Sequence, residues 1–269
     1  MNDSVYALDI GVYRTTKTGG ISPGSTTGWC RLTDGVRTPE GQYEAHRYSE
    51  TVRRVSRSES SLSPIECGRS IADLATAIAD DMRDGRRVAL GFEAPMWFPV
   101  ELNHCSDLDL FSPRFDAERS HEWYLQSGAA ATVKATCLGV LLVHELRSKL
   151  DQDVRMTTNI DAWLPGTMMV YEAFVAGLYK VCGIKVSEVS SDERDAVIAA
   201  LAWKAVHAGF ALPAGFRART LHTSGKHGKE AVSVWKHIAS DGSIEGPDDC
   251  EVVAIEDTRR QEQQINDDS

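Results

Sequence analysis

The sequence lacks the features that would place the chain in a membrane or an oxidising compartment. Its longest purely apolar stretch, Ala196 to Trp203, is much shorter than a bilayer-spanning helix. Residues 1–4 lack the basic and then apolar layout of a signal peptide. The six cysteines are widely spaced without a Cys-x-x-Cys pair, so we expect reduced, mostly buried thiols rather than disulfides or a zinc knuckle. These absences predict a soluble cytoplasmic protein with no membrane partner.

Several motifs of known chemistry are missing as well. The sequence contains no Gly-x-Gly-x-x-Gly or Walker-type phosphate loop, because the segment 225–229 lacks the preceding strand, the spacing and the final Ser or Thr. It has no Gly-x-Ser-x-Gly nucleophile elbow. These absences argue against a P-loop NTPase, a dinucleotide-binding enzyme and a serine hydrolase of the α/β class.

Positive charge is scarce, since the formal net charge is -10. That balance argues against broad electrostatic attraction to nucleic acid, although bound divalent ions can offset acidic residues and basic patches can be local. Arg53 and Arg54 lie in one arginine-rich stretch, and Lys226 and Lys229 lie in the short basic segment. These four residues are candidate substrate-binding groups, but solvated surface side chains would give the same pattern.

The order of apolar segments predicts one α/β domain. Val5–Asp9, Gly28–Leu32 and Tyr43–Tyr48 read as a three-stranded antiparallel meander, followed by strands at residues 88–93 and 168–174. We expect these five strands to form a mixed sheet with flanking helices. The predicted domain covers residues 1–255, with a long loop insertion at about 96–124 and a polar tail at 256–269. A possible further strand lies at residues 250–255.

Three helices are predicted between these strands. The first opens at Ser63-Pro64, has apolar residues at helical spacing from Ile71 to Met82, and stops at Gly85. The second covers Ala129 to Leu150, and the third starts at the acidic residues 191–193 and ends near His207. Ser49 to Ser63, before the first helix, is polar and predicted to be an exposed loop.

Four acidic residues occupy the ends of these elements and suggest a shared site. Asp9 and Glu93 each end an apolar strand, Glu172 interrupts another, and Asp195 opens an alanine-rich helix. Buried carboxylates are costly unless a cation or hydrogen bonds compensate them. Right-handed crossovers would bring the ends of the first and fourth strands together, so we expect Asp9 to lie near Glu93.

Such a cluster suits Mg²⁺ or Mn²⁺, because hard cations prefer carboxylate oxygens. Two such ions about 4 Å apart can serve phosphodiester hydrolysis. In this interpretation Asp9, Glu93 and Asp195 are catalytic metal ligands, with Asp9 bridging both ions. Asp192 lies one turn before Asp195 and is a further candidate ligand, as is Glu172.

Each acid also has a purely structural explanation. Asp9 could begin a turn, Glu172 could face solvent from an edge strand, and Asp192 is a favourable first-turn acid in any helix. Glu93 precedes Ala94-Pro95 and is harder to explain without a ligand, because an apolar strand seldom ends in an acid beside a proline.

The motifs around these acids resemble the predicted RNase H-like nucleases, and within them domain-of-unknown-function family 429. The similar segments are Asp9-x-Gly11, Thr27-Gly28-Trp29, Phe92-Glu93-Ala94-Pro95, Tyr171-Glu172, the stretch from Trp123 to Ala130, and Asp195-Ala196-x-x-Ala199-Ala200. The resemblance implies a ribonuclease H-like sheet, with metal ligands at Asp9, Glu93 and Asp195. Val175 stands where the family usually has a proline, and this departure leaves Glu172 the least supported ligand.

Nucleic acid is the substrate that this interpretation implies, and the residues do not distinguish DNA from RNA, a hybrid or a junction. Two alternatives stay open. An RNase H-like scaffold could bind nucleic acid or a partner without catalysis, which the acidic net charge favours. Asp9-Ile10-Gly11 with the loop after it also suits an actin-like phosphotransferase, but the second phosphate loop of that fold is missing from the sequence.

Overall fold

The computed structural model describes twelve segments of the chain, which contain all the elements named below. They are residues 3–11, 27–33, 52–54, 65–94, 97–100, 127–150, 154–174, 190–208, 216–222, 230–233, 244–245 and 251–257. The strands are β1 Asp3–Asp9, β2 Gly28–Thr33, β3 Val52–Arg54, β4 Ile65–Gly68, β5 Arg87–Phe92, β6 Trp97–Val100, β7 Arg155–Thr157, β8 Thr167–Phe174, β9 Phe216–His222, β10 Glu230–Ser233, β11 Ile244–Glu245 and β12 Glu251–Asp257. The helices are α1 Ile71–Arg83, α2 Ser127–Lys149 and α3 Ser191–His207, with a short 3-10 turn at Ile160–Ala162.

The architecture is α/β with a mixed sheet, as predicted. Strand β1 is antiparallel to β2 and parallel to β5, β2 is antiparallel to β4, and β5 is parallel to β8. The predicted number of five strands is wrong, because the sheet has ten strands within the described segments alone. Its order is β11-β7-β8-β5-β1-β2-β4-β3, with β12 beside β8 and β9 beside β12, while β6 and β10 form a separate pair.

Alternation along the central strands builds a core on each face of the sheet. Tyr6 and Leu8 of β1 pack on the same side as α1 and α2, whereas Val5 and Ala7 pack on the side of α3. Strands β5 and β8 alternate in the same way, since successive side chains of a strand point to opposite faces. The sheet is therefore covered on both faces, which explains the near-continuous apolar runs in its central strands.

The meander differs from the prediction in its third strand. Residues 43–48, predicted to form it, lie outside the described residues. On the side away from β1, β2 pairs with the antiparallel strand β4, Ile65–Gly68. Because these residues form a strand, the predicted helix start at Ser63-Pro64 is wrong. Helix α1 begins at Ile71, where the Ser70 side chain accepts a hydrogen bond from the amide of Asp73. Glycine is required at position 68, because a Cβ there would collide with the ring of Trp29 on the neighbouring strand.

Two predicted loops contain short strands. Val52–Arg54 pairs in parallel with β4 inside the stretch predicted to be an exposed loop. Trp97–Val100 pairs with β10 inside the predicted insertion, and residues 101–124 lie outside the described residues. Strand β12 reaches Asp257, two residues beyond the predicted end of the domain at residue 255.

The three helices agree with the prediction within a few residues at most ends. Gly85 adopts a positive φ of 73° just after α1, as its predicted role in ending that helix requires. Helix α3 is buried nearly all round from Ala196 to Trp203, so its alanines pack between the sheet and other parts of the chain. Within the described segments, no helix is both long enough and apolar enough to cross a lipid bilayer.

A buried polar network joins α1 to the sheet on the face opposite α3. Asp81 of α1 is 1% exposed and accepts hydrogen bonds from the Tyr6 hydroxyl at 2.5 Å and from Arg31 Nε at 2.9 Å. Arg31 also donates to Glu66 of β4 at 2.8 Å. Burial alone would raise the pKa of Asp81, but the hydrogen bonds from Arg31 and Tyr6 and the Arg31 charge lower it below its ordinary value.

Candidate functional site

Asp9 and Glu93 lie side by side where two parallel strands end. Leu8 of β1 is in register with Phe92 of β5, and the amide of Glu93 donates to the Leu8 carbonyl at 3.0 Å. Asp9 is the last residue of β1, and Glu93 directly follows β5. By strand alternation both carboxylates belong to the face that α3 covers. The two residues therefore meet at one edge of the sheet, as the sequence predicted.

Helix α3 brings Asp195 to the same edge. The helix starts with a capping box in which the Ser190 side chain accepts from the Glu193 amide and the Glu193 carboxylate accepts from the Ser190 amide. Arg69, just before α1, also donates to Glu193 at 3.2 Å. Because the start of α3 is held in this way, Asp195 occupies a defined position in its second turn.

Gly28 permits the close approach of α3 to the sheet. It pairs with Asp9 across the β1–β2 ladder. A Cβ at this position would collide with the backbone atoms of Asp192 and Glu193. The first turn of α3 therefore rests directly on the backbone of β2, and this contact sets the distance between Asp195 and Asp9.

The three carboxylates converge on one point. One carboxylate oxygen from each of Asp9, Glu93 and Asp195 lies within 4.8 Å of the other two. Oxygens bound to one Mg²⁺ are at most about 4.2 Å apart, since each lies about 2.1 Å from the ion. Side-chain movements of about half an ångström would therefore bring all three oxygens to one cation. The residues fit a divalent ion in donor chemistry and in spacing.

The electrostatics of the cluster agree with this fit. Burial raises the pKa of Asp9 to about 8, assisted by the negative charges of Asp192 and Asp195. Burial also raises the pKa of Glu93 well above its ordinary value, assisted by Asp9, Asp195 and Asp192. The cluster thus disfavours its own ionised form, and a bound cation would reverse that preference.

Asp192 lies near the three acids but not among them. Its charge acts on both Asp9 and Glu93. Its carboxylate is not part of the group of oxygens that lie within 4.8 Å of one another, which consists of Asp9, Glu93 and Asp195 within the described part of the chain. It also accepts a hydrogen bond from Ser191 Oγ at 3.2 Å. Asp192 is therefore placed for an outer role rather than for direct contact with the same ion.

Glu172 does not join the cluster. It pairs in register with Phe92, close to the edge that carries Glu93, and is 1% exposed. Alternation along β8, however, places it with Met168 and Val170 on the face of α1 and α2. Glu172 is therefore no longer a candidate ligand, because Asp9 and Glu93 lie on the other face of the sheet.

The four basic candidates cannot be assigned to the site. Arg53 and Arg54 form part of β3, the last strand on the β4 side of the sheet, and β3 is separated from β1 by β4 and β2. Lys226 and Lys229 lie outside the described residues. For Arg53 and Arg54 the structure therefore gives only the position of their strand in the sheet.

Lys134 is a site residue that the sequence analysis missed. Its Nζ donates to the carbonyl oxygen of Gly11, two residues after Asp9, at 3.2 Å. Its positive charge lowers the pKa of Asp9, against the larger effects of burial and the neighbouring acids. One sequence signal was present, because Lys134 is the only charged residue between Ser127 and Val143.

This arrangement has the chemical character of a cation site at the carboxyl ends of two parallel strands. Comparison with protein-family models, curated proteins and solved structures finds no match to the chain.

Proposed function

We propose that the chain is an RNase H-like, Mg²⁺- or Mn²⁺-dependent nuclease that hydrolyses phosphodiester bonds of nucleic acid. The observation that supports it most is the convergence of Asp9, Glu93 and Asp195, whose oxygens lie within 4.8 Å of one another although they come from β1, the end of β5 and α3. Three acids gathered from such distant positions incur a large electrostatic cost. A divalent cation would offset that cost. The cluster is not needed for stability, because other contacts stabilise the fold.

The central sheet supports the RNase H-like part of the proposal. Its strands β4, β2 and β1 form an antiparallel meander, and β5 and β8 continue from β1 in parallel. These five strands have the directions that the order of apolar segments predicted, a three-stranded antiparallel meander and two parallel strands, with β4 in the place of residues 43–48. Strands β3, β7, β11, β12 and β9 would then be additions at the two sides.

In the proposed mechanism the protein holds the cations and orients the substrate phosphate. Asp9 and Glu93 would hold a cation from the sheet and Asp195 would hold it from α3, with Asp192 in an outer position. A bound divalent ion supplies positive charge for the phosphate and lowers the pKa of a water molecule. The N-terminal end of α3 adds a favourable field for an anion at the same edge. A two-ion arrangement requires oxygens beyond these three, from water or from the phosphate.

Substitution of each acid by its amide tests the proposal. Asp9→Asn, Glu93→Gln and Asp195→Asn keep the shape of the side chain but remove the charge that holds the cation. We expect each to lower the rate of cleavage of labelled DNA, RNA and hybrid oligonucleotides by at least about 100-fold, because several kcal/mol of transition-state stabilisation depends on the ion. Isothermal titration with Mn²⁺ should show weaker binding in parallel.

Asp161→Asn is the matched control, since Asp161 is an exposed acid on the 3-10 turn, outside the converging group. It should leave both cleavage and the Mn²⁺ titration unchanged. The wild-type protein distinguishes the alternatives. A scaffold without a cation site would give no saturable heat with millimolar Mn²⁺, and a phosphotransferase would be stabilised thermally by a nucleotide. Absence of a saturable heat with Mn²⁺, or stabilisation by a nucleotide without any oligonucleotide cleavage, would contradict the nuclease proposal.

A further inference from the structure

The ammonium group of Lys134 is held next to the acidic cluster by the backbone. Helix α2 lies on the face of the sheet opposite α3, yet Lys134 reaches the segment that follows Asp9 and donates to the Gly11 carbonyl at 3.2 Å. Residues from both faces of the sheet therefore meet at its edge. The acids arrive from the sheet and α3, and the cation arrives from α2.

The environment of Lys134 differs from that of an ordinary surface lysine. It is half-buried and follows the small-residue stretch Gly128–Thr132. No other charged residue occurs between Ser127 and Val143, so α2 carries a single charge over its first turns. An ammonium has three N–H donors, so the contact with Gly11 leaves donor capacity for another oxygen.

The negative charge of the site makes a nearby cationic side chain favourable for binding a phosphate. A phosphodiester approaching Asp9, Glu93 and Asp195 brings negative charge to three carboxylates. Divalent ions compensate part of it, and preorganised donors such as lysine stabilise the charge that develops on the phosphate oxygens. A lysine in this place acts as a point charge for phosphate.

We propose that Lys134 is the phosphate-binding cation of this site, contacting an oxygen of the phosphodiester that the metal-binding acids face. This inference rests on the proposed function in one respect: it takes the three acids to be the site of the reaction. It adds that the substrate must present a phosphate anion between α2 and α3. It also assigns α2, which carries no acidic ligand of the triad, a direct part in substrate binding.

The test compares Lys134→Met, Lys134→Arg and Lys149→Met. Lys149 is a half-buried lysine near the other end of α2 and provides the matched control. We expect Lys134→Met to keep Mn²⁺ binding within about threefold but to lower oligonucleotide cleavage by about 100-fold, the typical effect of removing one preorganised donor. Lys134→Arg should recover at least part of the activity because it keeps the positive charge, and Lys149→Met should behave as wild type.

A binding assay separates this proposal from the proposed function. Fluorescence anisotropy of a labelled, cleavage-resistant phosphorothioate oligonucleotide with Mn²⁺ measures binding of the anionic backbone whether or not the wild type cleaves ordinary oligonucleotides. Absence of cleavage would contradict the nuclease but not the phosphate site. We expect Lys134→Met to weaken this binding at least tenfold. The slope of the logarithm of the binding constant against the logarithm of the salt concentration should become shallower by about one, because one fewer counterion is released. Unchanged binding and cleavage in Lys134→Met would overturn the proposal. Parallel loss of Mn²⁺ binding and thermal stability would also overturn it, because that result would make the Gly11 contact merely structural.

Discussion

At the scale of single residues, the charge on Asp9 determines how the metal-free protein responds to pH. The pKa of Asp9 is raised from 3.8 to about 8 in the folded state. Between these values the unfolded chain has lost the proton that the folded protein retains. The unfolded state therefore binds fewer protons, and the stability of the metal-free protein falls as the pH rises from about 4 to about 8.

Asp9→Asn should remove the part of this dependence that Asp9 contributes, while Glu93, whose pKa is also raised, keeps its own. We expect the variant to match the wild type in melting temperature near pH 4 and to exceed it increasingly towards pH 8, measured in the presence of a chelator. Burial and the neighbouring acids penalise the ionised Asp9 only, so the amide avoids the cost. A difference in melting temperature that stays constant across this range would contradict the raised pKa.

The same residues predict proton release on metal binding. Because a cation binds the ionised carboxylates, Mn²⁺ must displace the protons held on Asp9 and Glu93, whose pKa values are raised. We expect the apparent Mn²⁺ affinity to increase from pH 6 to pH 8. Titrations in two buffers of different ionisation enthalpy should differ in heat in proportion to the protons released. Equal heats in both buffers at pH 6 would contradict the prediction.

At the scale of elements, the contact between β2 and α3 sets the geometry of the site. Gly28→Ala would place a Cβ against the backbone of Asp192 and Glu193, so α3 must shift away from Asp9. We expect a loss of about 1–3 kcal/mol in the free energy of unfolding from overpacking. Mn²⁺ affinity should fall at least tenfold, because Asp195 moves with the helix.

Gly85→Ala is the control for this prediction. Gly85 has φ of 73° and open space around its Cβ position, so alanine there is strained by about 1–2 kcal/mol without disturbing any neighbour. Urea denaturation should show a similar loss of stability in both variants. Only Gly28→Ala should weaken Mn²⁺ binding, and an equal loss of affinity in both would mean that stability alone controls the site.

At the scale of the whole molecule, the Asp81 network holds α1 on the sheet and is separate from the acidic cluster. Asp81→Asn would leave the Arg31 guanidinium without its buried counter-charge, and we expect a loss of about 3–5 kcal/mol in the free energy of unfolding. The adjacent Asp80 is exposed and pairs with Arg83 one turn further along α1, so Asp80→Asn should cost at most about 1 kcal/mol.

Mn²⁺ affinity should remain within about threefold in both variants wherever they are folded, since neither residue belongs to the converging acids. The pKa of Asp81 is lowered in the folded state, so its contribution to stability is fully present above the ordinary aspartate pKa and is lost as the pH falls from there through the lower pKa of the folded state. Equal urea midpoints for Asp81→Asn and Asp80→Asn would contradict the assigned role of this network.

The sequence alone determined the local parts of this protein. Strand alternation, the acidic start of α3 and the glycine that ends α1 are encoded within a few residues, so β1, β5, β8, α2, α3 and the end of α1 were predicted closely, whereas the predicted start of α1 was wrong. The positions of Asp9 and Glu93 at strand ends were also readable. Right-handed crossover between parallel strands then predicted that the two acids meet.

Only the tertiary structure decided which acids face one another. Glu172 and Glu93 both lie near the same edge, but alternation within β8 turns Glu172 to the opposite face, and the face toward α3 depends on packing between distant segments. Lys134 was missed for the same reason, since its contact with Gly11 joins residues far apart in the chain. Local sequence specifies elements, whereas the faces that they present to one another follow from burying both sides of the sheet at once.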